Sequence, residues 1–462
     1  MIEEDKKKKL YKQIVDQADP YLVLDRMQEL GFWPADEPIP EESDEALAER
    51  AKLVDELTRL RSKGSKVGDP EAALRKERVR RWQESKKRRA ANKAEREQKQ
   101  KERAEAYVQK KKKTLVHTGD GVSGGLEDRS SNVARLEERG LPVVHSAEEL
   151  AKAMNMPLKA IRWLTYHRRS VSVVHYRRYA VPKKTGGERH ISAPKPILAQ
   201  AQRWVFEEIL KKVDVSTEAH GFVTGRSTLS NAKAHVGKPI VINLDVKDFF
   251  PSIGFRRVKG LFRALGYGEA VAITLALLST EPPRTEAEVD GKVYHVALGD
   301  RVLPQGACTS PAITNLICRG LDRDLRGIAE RHGYAFTRYA DDVTFSGANE
   351  AAIPKLLAAT RHILKRHSFL VHPDKTRVMR RARRQEVTGL VVNDRAGLSR
   401  KERRRLRALL HNVARHGLAS QNRNGHPNFP AYLRGHVAYA MAVDPDRAAD
   451  WKARLERALI RG

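Results

Sequence analysis

The sequence predicts an α+β body with a basic, mainly helical extension in front of it and a helical, basic segment behind. Three observations carry that expectation. Composition breaks near residue 114, strands and helices alternate from about residue 176, and helical spacing returns beyond residue 398. At 462 residues the chain has room for about three domains, or for one large body with an appendage.

The extension comes first. Residues 74–113 hold 18 Lys or Arg against 6 Asp or Glu, with no Pro or Gly. Ala, Glu, Lys, Arg and Gln are good helix formers, so a long solvated helix is predicted there. Modest amphipathic spacing precedes it over 1–30 (Leu22, Leu24, Met27, Leu30) and 41–62 (Leu47, Leu53, Leu57, Leu60). The extension is taken as 1–117. Gly and Ser then crowd residues 118–132, and 118–145 reads as a flexible linker. Residues 146–169 read as two short helices broken near Met156-Pro157. That is a helix-turn-helix shape, with packing on the body as its expected role.

The body follows. YRRYAVPKKTGGERHISAPK reads as strand, turn, strand, with Lys183, Lys184 and Arg189 around the tip. Leu198, Ala201, Val205 and Ile209 then share one helical face. VINLDVKDFF (241–250) begins as a buried strand, residues 311–331 form a strong helix, and FTRYADDVTFSG (336–347) alternates like a hairpin.

Charge narrows the partners. Lys plus Arg total 88 against 58 acidic residues, a net +30. Such an excess opposes compaction and attracts polyanions, chiefly nucleic acid; a plain charged linker is the alternative for the basic run. Two cysteines, Cys308 and Cys318, exclude a disulfide scaffold and read as core or site-lining thiols. MIEEDKKKKL lacks the apolar stretch of a secretory signal, and the longest apolar run, Ala270 to Leu278, is too short for a bilayer. A cytoplasmic setting without membrane contact is expected.

Three carboxylates stand out. Asp245 ends the predicted buried strand, and Asp341 and Asp342 sit at the predicted hairpin tip. On neighbouring strands they would raise one another's pKa values unless a cation neutralised them. Hard oxygens without nearby His or Cys favour Mg2+, with Mn2+ possible. Two ions about 4 Å apart could activate a hydroxyl and stabilise a departing pyrophosphate. Taken singly, an Asp-Asp pair more often just makes a turn.

NLDVKDFFPSI (243–253), LPQGACTSPAITN (303–315) and YADD (339–342) follow one another in the order of the palm motifs of reverse transcriptases, which they resemble. NAKAH (231–235) resembles the Asn-Ala-x-x-His element of the retron branch, and VTG (387–389) its Val-Thr-Gly element. HGFVTGRS (220–227) and VHPDKT (371–376) fit the same bacterial branch. The resemblance covers about 146–462 and is closest to the myxobacterial-type retron enzymes, which carry a long N-terminal extension.

The resemblance implies a right-hand polymerase, with fingers and palm over 146–382 and a helical thumb over 383–462. It implies an RNA-directed DNA polymerase that copies a structured non-coding RNA from an internal guanosine 2′-hydroxyl, giving branched RNA–DNA (msDNA) in anti-phage defence. Deoxynucleoside triphosphates, the cognate RNA and its DNA product, a separate effector protein and a host RNase H are the implied partners. Asp245, Asp341 and Asp342 become the metal-binding catalytic carboxylates. Lys375 becomes a proton donor to pyrophosphate, with a simple phosphate contact as the alternative. Arg189, with Lys183 or Lys184, would clamp the triphosphate, and the Val246 backbone would face it. Gln305 and Gly306 would lie under the nucleotide, and Phe250 would be the sugar gate. Asn231, His235, Val387, Thr388 and Gly389 would contact RNA; a cap at Asn231 and a strand turn at Thr388-Gly389 are the bland alternatives. A group II intron-like or diversity-generating enzyme, and a non-catalytic RNA-binding protein on the same fold, remain the competing readings.

Overall fold

A computed structural model describes residues 27–34, 36, 44–64, 70–119, 121–182 and 187–461. It divides into two compact units, Met1–Glu105 and Ala106–Gly462. The amphipathic spacing expected over 1–30 lies outside the described residues up to residue 26.

The first unit is helical, with α1 (Asp44–Gly64) and the start of α2 (Pro70–Lys113), which continues into the second unit. At 1.5 Å per residue α2 is about 66 Å long. Its side chains are almost all exposed, and Glu77–Arg80 and Glu95–Lys99 pair along it. Exposed pairs of this kind contribute little each, so helix propensity carries the segment.

In the second unit the predicted linker over 118–145 is corrected. Leu126, Leu136, Leu141 and Val144 are buried, and α3 (Val133–Glu138) is capped by Asn132. The glycines serve fixed turns rather than freedom: at Gly119 (φ +115°) a Cβ would collide with the His167 backbone. The segment is a strap held down by its spaced leucines. Next, α4 (Ala147–Ala153) and α5 (Leu158–Thr165) bury Leu150, Ile161 and Leu164, the packing role expected for this pair.

Strand β1 (Ser170–Val171) precedes the fingers hairpin of β2 (Tyr176–Pro182) and β3 (Glu188–Pro194). Helices α6 (Pro196–Trp204) and α7 (Thr228–Lys233) lead to β4 (Ile240–Lys247). After it come α8 (Phe255–Leu265), α9 (Glu269–Ser279), β5 (Arg284–Val289) and β6 (Lys292–Ala297). Then α10 (Thr309–Ile317) and α11 (Arg319–Arg331) precede the hairpin of β7 (Tyr334–Tyr339) and β8 (Asp342–Gly347). Helix α12 (Ile353–Arg366), β9 (Leu370–Val371) and β10 (Arg377–Arg380) close the palm.

The palm sheet has the order β10-β4-β8-β7, with β9 on the far end of β4, and every pairing is antiparallel. Ile240, Val241, Ile242, Leu244 and Val246 of β4 are all buried. The three consecutive buried residues Ile240–Ile242 put apolar side chains on both faces of the strand, so both faces need cover. The apolar run at Ala270–Leu278 is α9, a helix buried throughout its length in the core. Among the described residues no helix is long and apolar enough to cross a membrane.

A short hairpin, β11 (Glu386–Val387) and β12 (Leu390–Val391), joins the palm to α13 (Arg400–Gln421), α14 (Phe429–Val443) and α15 (Pro445–Arg461). These three helices have their own core of Leu410, Leu433, Val437, Trp451 and Leu455. Between the two cores, Ala232, Val241, Val387, Leu390, Val392 and Val443 form a separate apolar joint.

If the strap is structural, Leu136→Ala should lower stability by about 2–5 kcal/mol, as for other buried leucines. Thermal or denaturant unfolding measures this. A flexible linker would give no change.

Candidate active site

Register sets the site. In the β4–β8 ladder Asp245 stands opposite Asp342, and the Val246 N–H donates to the Asp341 carbonyl at 2.9 Å. Tyr339 pairs with Asp342, so the β7–β8 turn is only Ala340 and Asp341. All three carboxylates therefore sit at one end of the sheet. Burial and the charge of Asp245 push Asp341 above the usual carboxylate range. Burial, then Asp341 and Asp245, push Asp342 up to about 7.

Nearby cations answer this crowding. Lys375, just past β9, donates from Nζ to Asp245 Oδ2 at 2.7 Å. Arg189 of β3 is exposed, and its charge draws Asp341 back down. Among the described residues no three His, Cys, Asp or Glu side chains stand at ligand spacing, and Asp245 is paired with Lys375 instead. The donor chemistry nonetheless fits a hard divalent cation: oxygen only, on adjoining strands, with mutual repulsion for a cation to relieve.

The other expected nucleotide contacts divide. Gln305 and Gly306 lie against the fingers hairpin: the Gln305 carbonyl accepts from Ser192 N at 2.7 Å. A Cβ on Gly306 (φ +120°) would meet the Ile191 side chain at 2.8 Å, so only glycine allows this approach. Phe250 is half-buried beside Phe222, ring centroids 6.3 Å apart, and Phe222 is 6.4 Å from Tyr339. Val246 is corrected: its side chain is buried and its N–H is already bonded to Asp341, so that donor cannot face a triphosphate. Lys183 and Lys184 lie outside the described residues. Cys318 is buried, which pushes its thiol up to about 12, while Cys308 is exposed.

The expected RNA contacts are corrected more sharply. Asn231 and His235 have no exposed surface. His235 joins β7 and β8, with Nδ1 2.7 Å from Ser346 Oγ and Nε2 2.7 Å from Thr337 Oγ1. Burial pushes its pKa down to about 3, so the ring is neutral and one nitrogen donates while the other accepts. Val387 is buried too. Thr388 and Gly389 form the two-residue turn of β11–β12, both at positive φ. The Thr388 hydroxyl donates to the Thr228 carbonyl at 3.1 Å. The NAKAH and VTG elements thus meet each other in the palm–thumb joint, and of the five expected contacts only Gly389 and part of Thr388 reach the surface.

One group beneath the site escaped the sequence reading. Arg338 of β7 is fully buried, and its guanidinium grips both oxygens of Asp322 on α11 at 2.6 and 2.8 Å. Its Nη1 also donates to Asn315 Oδ1 at 3.0 Å and to the Ala340 carbonyl at 3.1 Å. Asn315 donates to the Gly221 carbonyl at 2.9 Å, and a Cβ on Gly221 would meet Ala340 N at 2.6 Å. Ala340 carries φ +56°, unusual outside glycine, and this network over-determines it. The available signal was an arginine at an inward position of FTRYADD.

The chain matches the reverse transcriptase (RNA-dependent DNA polymerase) family model over residues 181–394. A retron reverse transcriptase of Myxococcus xanthus, Mx162, is 40% identical over 89% of this chain and 89% of its own length. Another from the same organism, Mx65, is 45% identical over 70% of this chain and 74% of its own. The Ec86 enzyme of Escherichia coli is 30% identical over 68% and 89%. The fold is that of an RNA-directed DNA polymerase, a class that uses divalent metal ions and an RNA template. Within that class the chain belongs to the retron reverse transcriptases, and to their myxobacterial type.

Two outcomes are expected. Arg338→Lys keeps the charge but cannot span Asp322 and Ala340, so nucleotide incorporation should fall about tenfold or more while RNA affinity holds. His235→Ala should reduce extension of the cognate RNA and of a generic annealed primer by the same factor. Selective loss on the cognate RNA, measured side by side, would restore the recognition role.

Proposed function

We propose that the enzyme copies a structured non-coding RNA from the 2′-hydroxyl of an internal guanosine, making branched RNA–DNA that serves anti-phage defence. Family membership supports this reading. The observation that carries its chemistry is the meeting of Asp245, Asp341 and Asp342 at one end of the palm, with Arg189 and Lys375 facing them.

In this reading the three aspartates hold two magnesium ions. When bound, such ions supply positive charge for the attacking hydroxyl and the leaving pyrophosphate in an in-line displacement. Arg189, with Lys183 or Lys184, binds the triphosphate, its planar fork matching phosphate oxygens. Gln305 and Gly306 orient the nucleotide from below the fingers hairpin. The ring of Phe250, backed by Phe222, fills the space that a ribose 2′-oxygen would need. Lys375, whose Nζ donates to Asp245 Oδ2, gives a proton to the leaving pyrophosphate once released from that carboxylate. Residues 146–382 act as fingers and palm, 383–462 as the thumb with its joint, and 1–117 as a basic appendage. A separate effector protein, removal of template RNA by a host RNase H, and a cytoplasmic setting complete the proposal.

Two measurements test it together. Asp341→Asn should reduce deoxynucleotide incorporation by orders of magnitude while RNA binding persists, and near-normal synthesis would refute the carboxylate assignment. RNA copurifying from cells should carry DNA on a 2′,5′ branch at one guanosine. DNA joined only through a 3′ end would refute the priming reading.

A further inference from the structure

Away from the carboxylates, the strap, the loop after α5, the start of α8 and the segment after β6 enclose a cleft of about 930 Å³. None of the residues gathered at the active site lines it. Five arginines and a single carboxylate, Asp300, do, which makes it a site for anions.

Not every arginine is available. The Arg301 guanidinium is buried against the carbonyls of Leu277 and Thr280, and that of Arg257 lies 4.8 Å from the centroid of the Phe369 ring. Arg168, Arg169 and Arg256 are exposed, and none pairs with a carboxylate among the described residues. The backbone of Arg168 and Arg169 is held by several hydrogen bonds. Arg284 donates to the carbonyls of both Arg168 and Arg169, at 2.7 and 3.1 Å, and Ala297 N–H donates to the Arg169 carbonyl at 2.7 Å. The adjoining β1 pairs with β6.

Aromatic faces are interleaved with these charges. Tyr166 carries Arg168 over its ring at 4.7 Å and meets the His117 ring edge-on at 6.0 Å. Leu298, also lining the cleft, leaves 67% of its surface open. Basic groups at fixed spacing beside stacking rings are what an unpaired strand uses, phosphates on one side and base faces on the other. A duplex hides its base faces and has no use for Tyr166 or Leu298.

We propose that this cleft is a second nucleic-acid site, binding a single-stranded stretch of polynucleotide outside the polymerase centre. It rests on the polymerase reading only for the source of the strand, which is either uncopied template RNA or displaced DNA product.

The test uses the full chain with Arg169→Ala and Arg256→Ala combined, both surface changes, and separately Tyr166→Leu. Affinities for oligo-U, oligo-dT and a blunt RNA–DNA duplex are measured across a salt series. The double variant should lower the log–log salt slope for single strands by about 1.4, at about 0.7 per lost phosphate contact. Tyr166→Leu should weaken single-strand binding about fivefold or more with the slope unchanged. Loss on oligo-U alone assigns the cleft to template, on oligo-dT alone to product, and on both to either strand. Unchanged binding of both strands, or equal loss on the duplex, overturns the proposal. If Tyr166→Leu melts early, the exposed arginine pair still decides. Single-nucleotide incorporation on a primer–template with a minimal overhang runs alongside. Wild-type failure there would indict the polymerase reading, whereas loss in the double variant alone would fold the cleft into the active site and end its separate status.

Discussion

A guanidinium shut away from water must find every partner inside the protein, and Arg338 finds them in three different segments. Asp322 of α11 neutralises it, Asn315 of α10 accepts from it, and the carbonyl of Ala340 takes another of its protons. Removing one member would strand a charge in the core at a cost of about 3–5 kcal/mol. Such a pair is a poor source of net stability compared with a well-packed apolar set. What it supplies is position. The left-handed Ala340 beside the two aspartates cannot relax without breaking the hydrogen bond from a guanidinium that Asp322 itself holds fixed.

The rest of the site follows from that anchored turn. Because Tyr339 faces Asp342 in one ladder and Asp245 faces Asp342 in the next, the register places the three carboxylates together. A slip of one residue would turn the whole set to the other face. His235 fastens the same hairpin further along through Thr337 and Ser346, so it is held at both ends. Clustered anionic groups repel, and burial makes the repulsion worse. A rigid scaffold is needed to keep them together, and Lys375 on Asp245 offsets part of the repulsion.

Much of this was legible in the chain. Period-two alternation around YADD and the apolar run before Asp245 announced two strands, and the adjacency of the carboxylates followed from their pairing. The long helix was legible because 74–113 contains nothing that breaks one. Other features were not. Gly and Ser in 118–132 suggested freedom, whereas the leucines of 118–145 are spaced to reach a core that only the tertiary structure reveals. Asn231, His235 and Val387 read as recognition elements because the retron resemblance singles out the NAKAH and VTG segments in which they stand. Their burial depends on α7 meeting the β11–β12 turn 160 residues later, a contact that no local pattern encodes. Val246 failed for a similar reason, since a backbone donor's partner is set by the neighbouring strand. Arg338 was hidden by its own type: in a chain with 88 basic residues, one more arginine carries no signal unless its inward register is taken seriously.

If the Arg338 network positions the carboxylate-bearing turn rather than merely stabilising the palm, its loss should cost incorporation even where stability is kept. Replacing both members with apolar residues, Arg338→Met together with Asp322→Leu, removes the buried charges but also the donor to Ala340. Thermal stability and single-nucleotide incorporation should be measured on the two single variants and on the double. The double variant should regain most of the stability lost by either single one, while incorporation stays at least about tenfold below wild type. Recovery of incorporation together with stability would contradict it, because the pair would then be structural filling and nothing more.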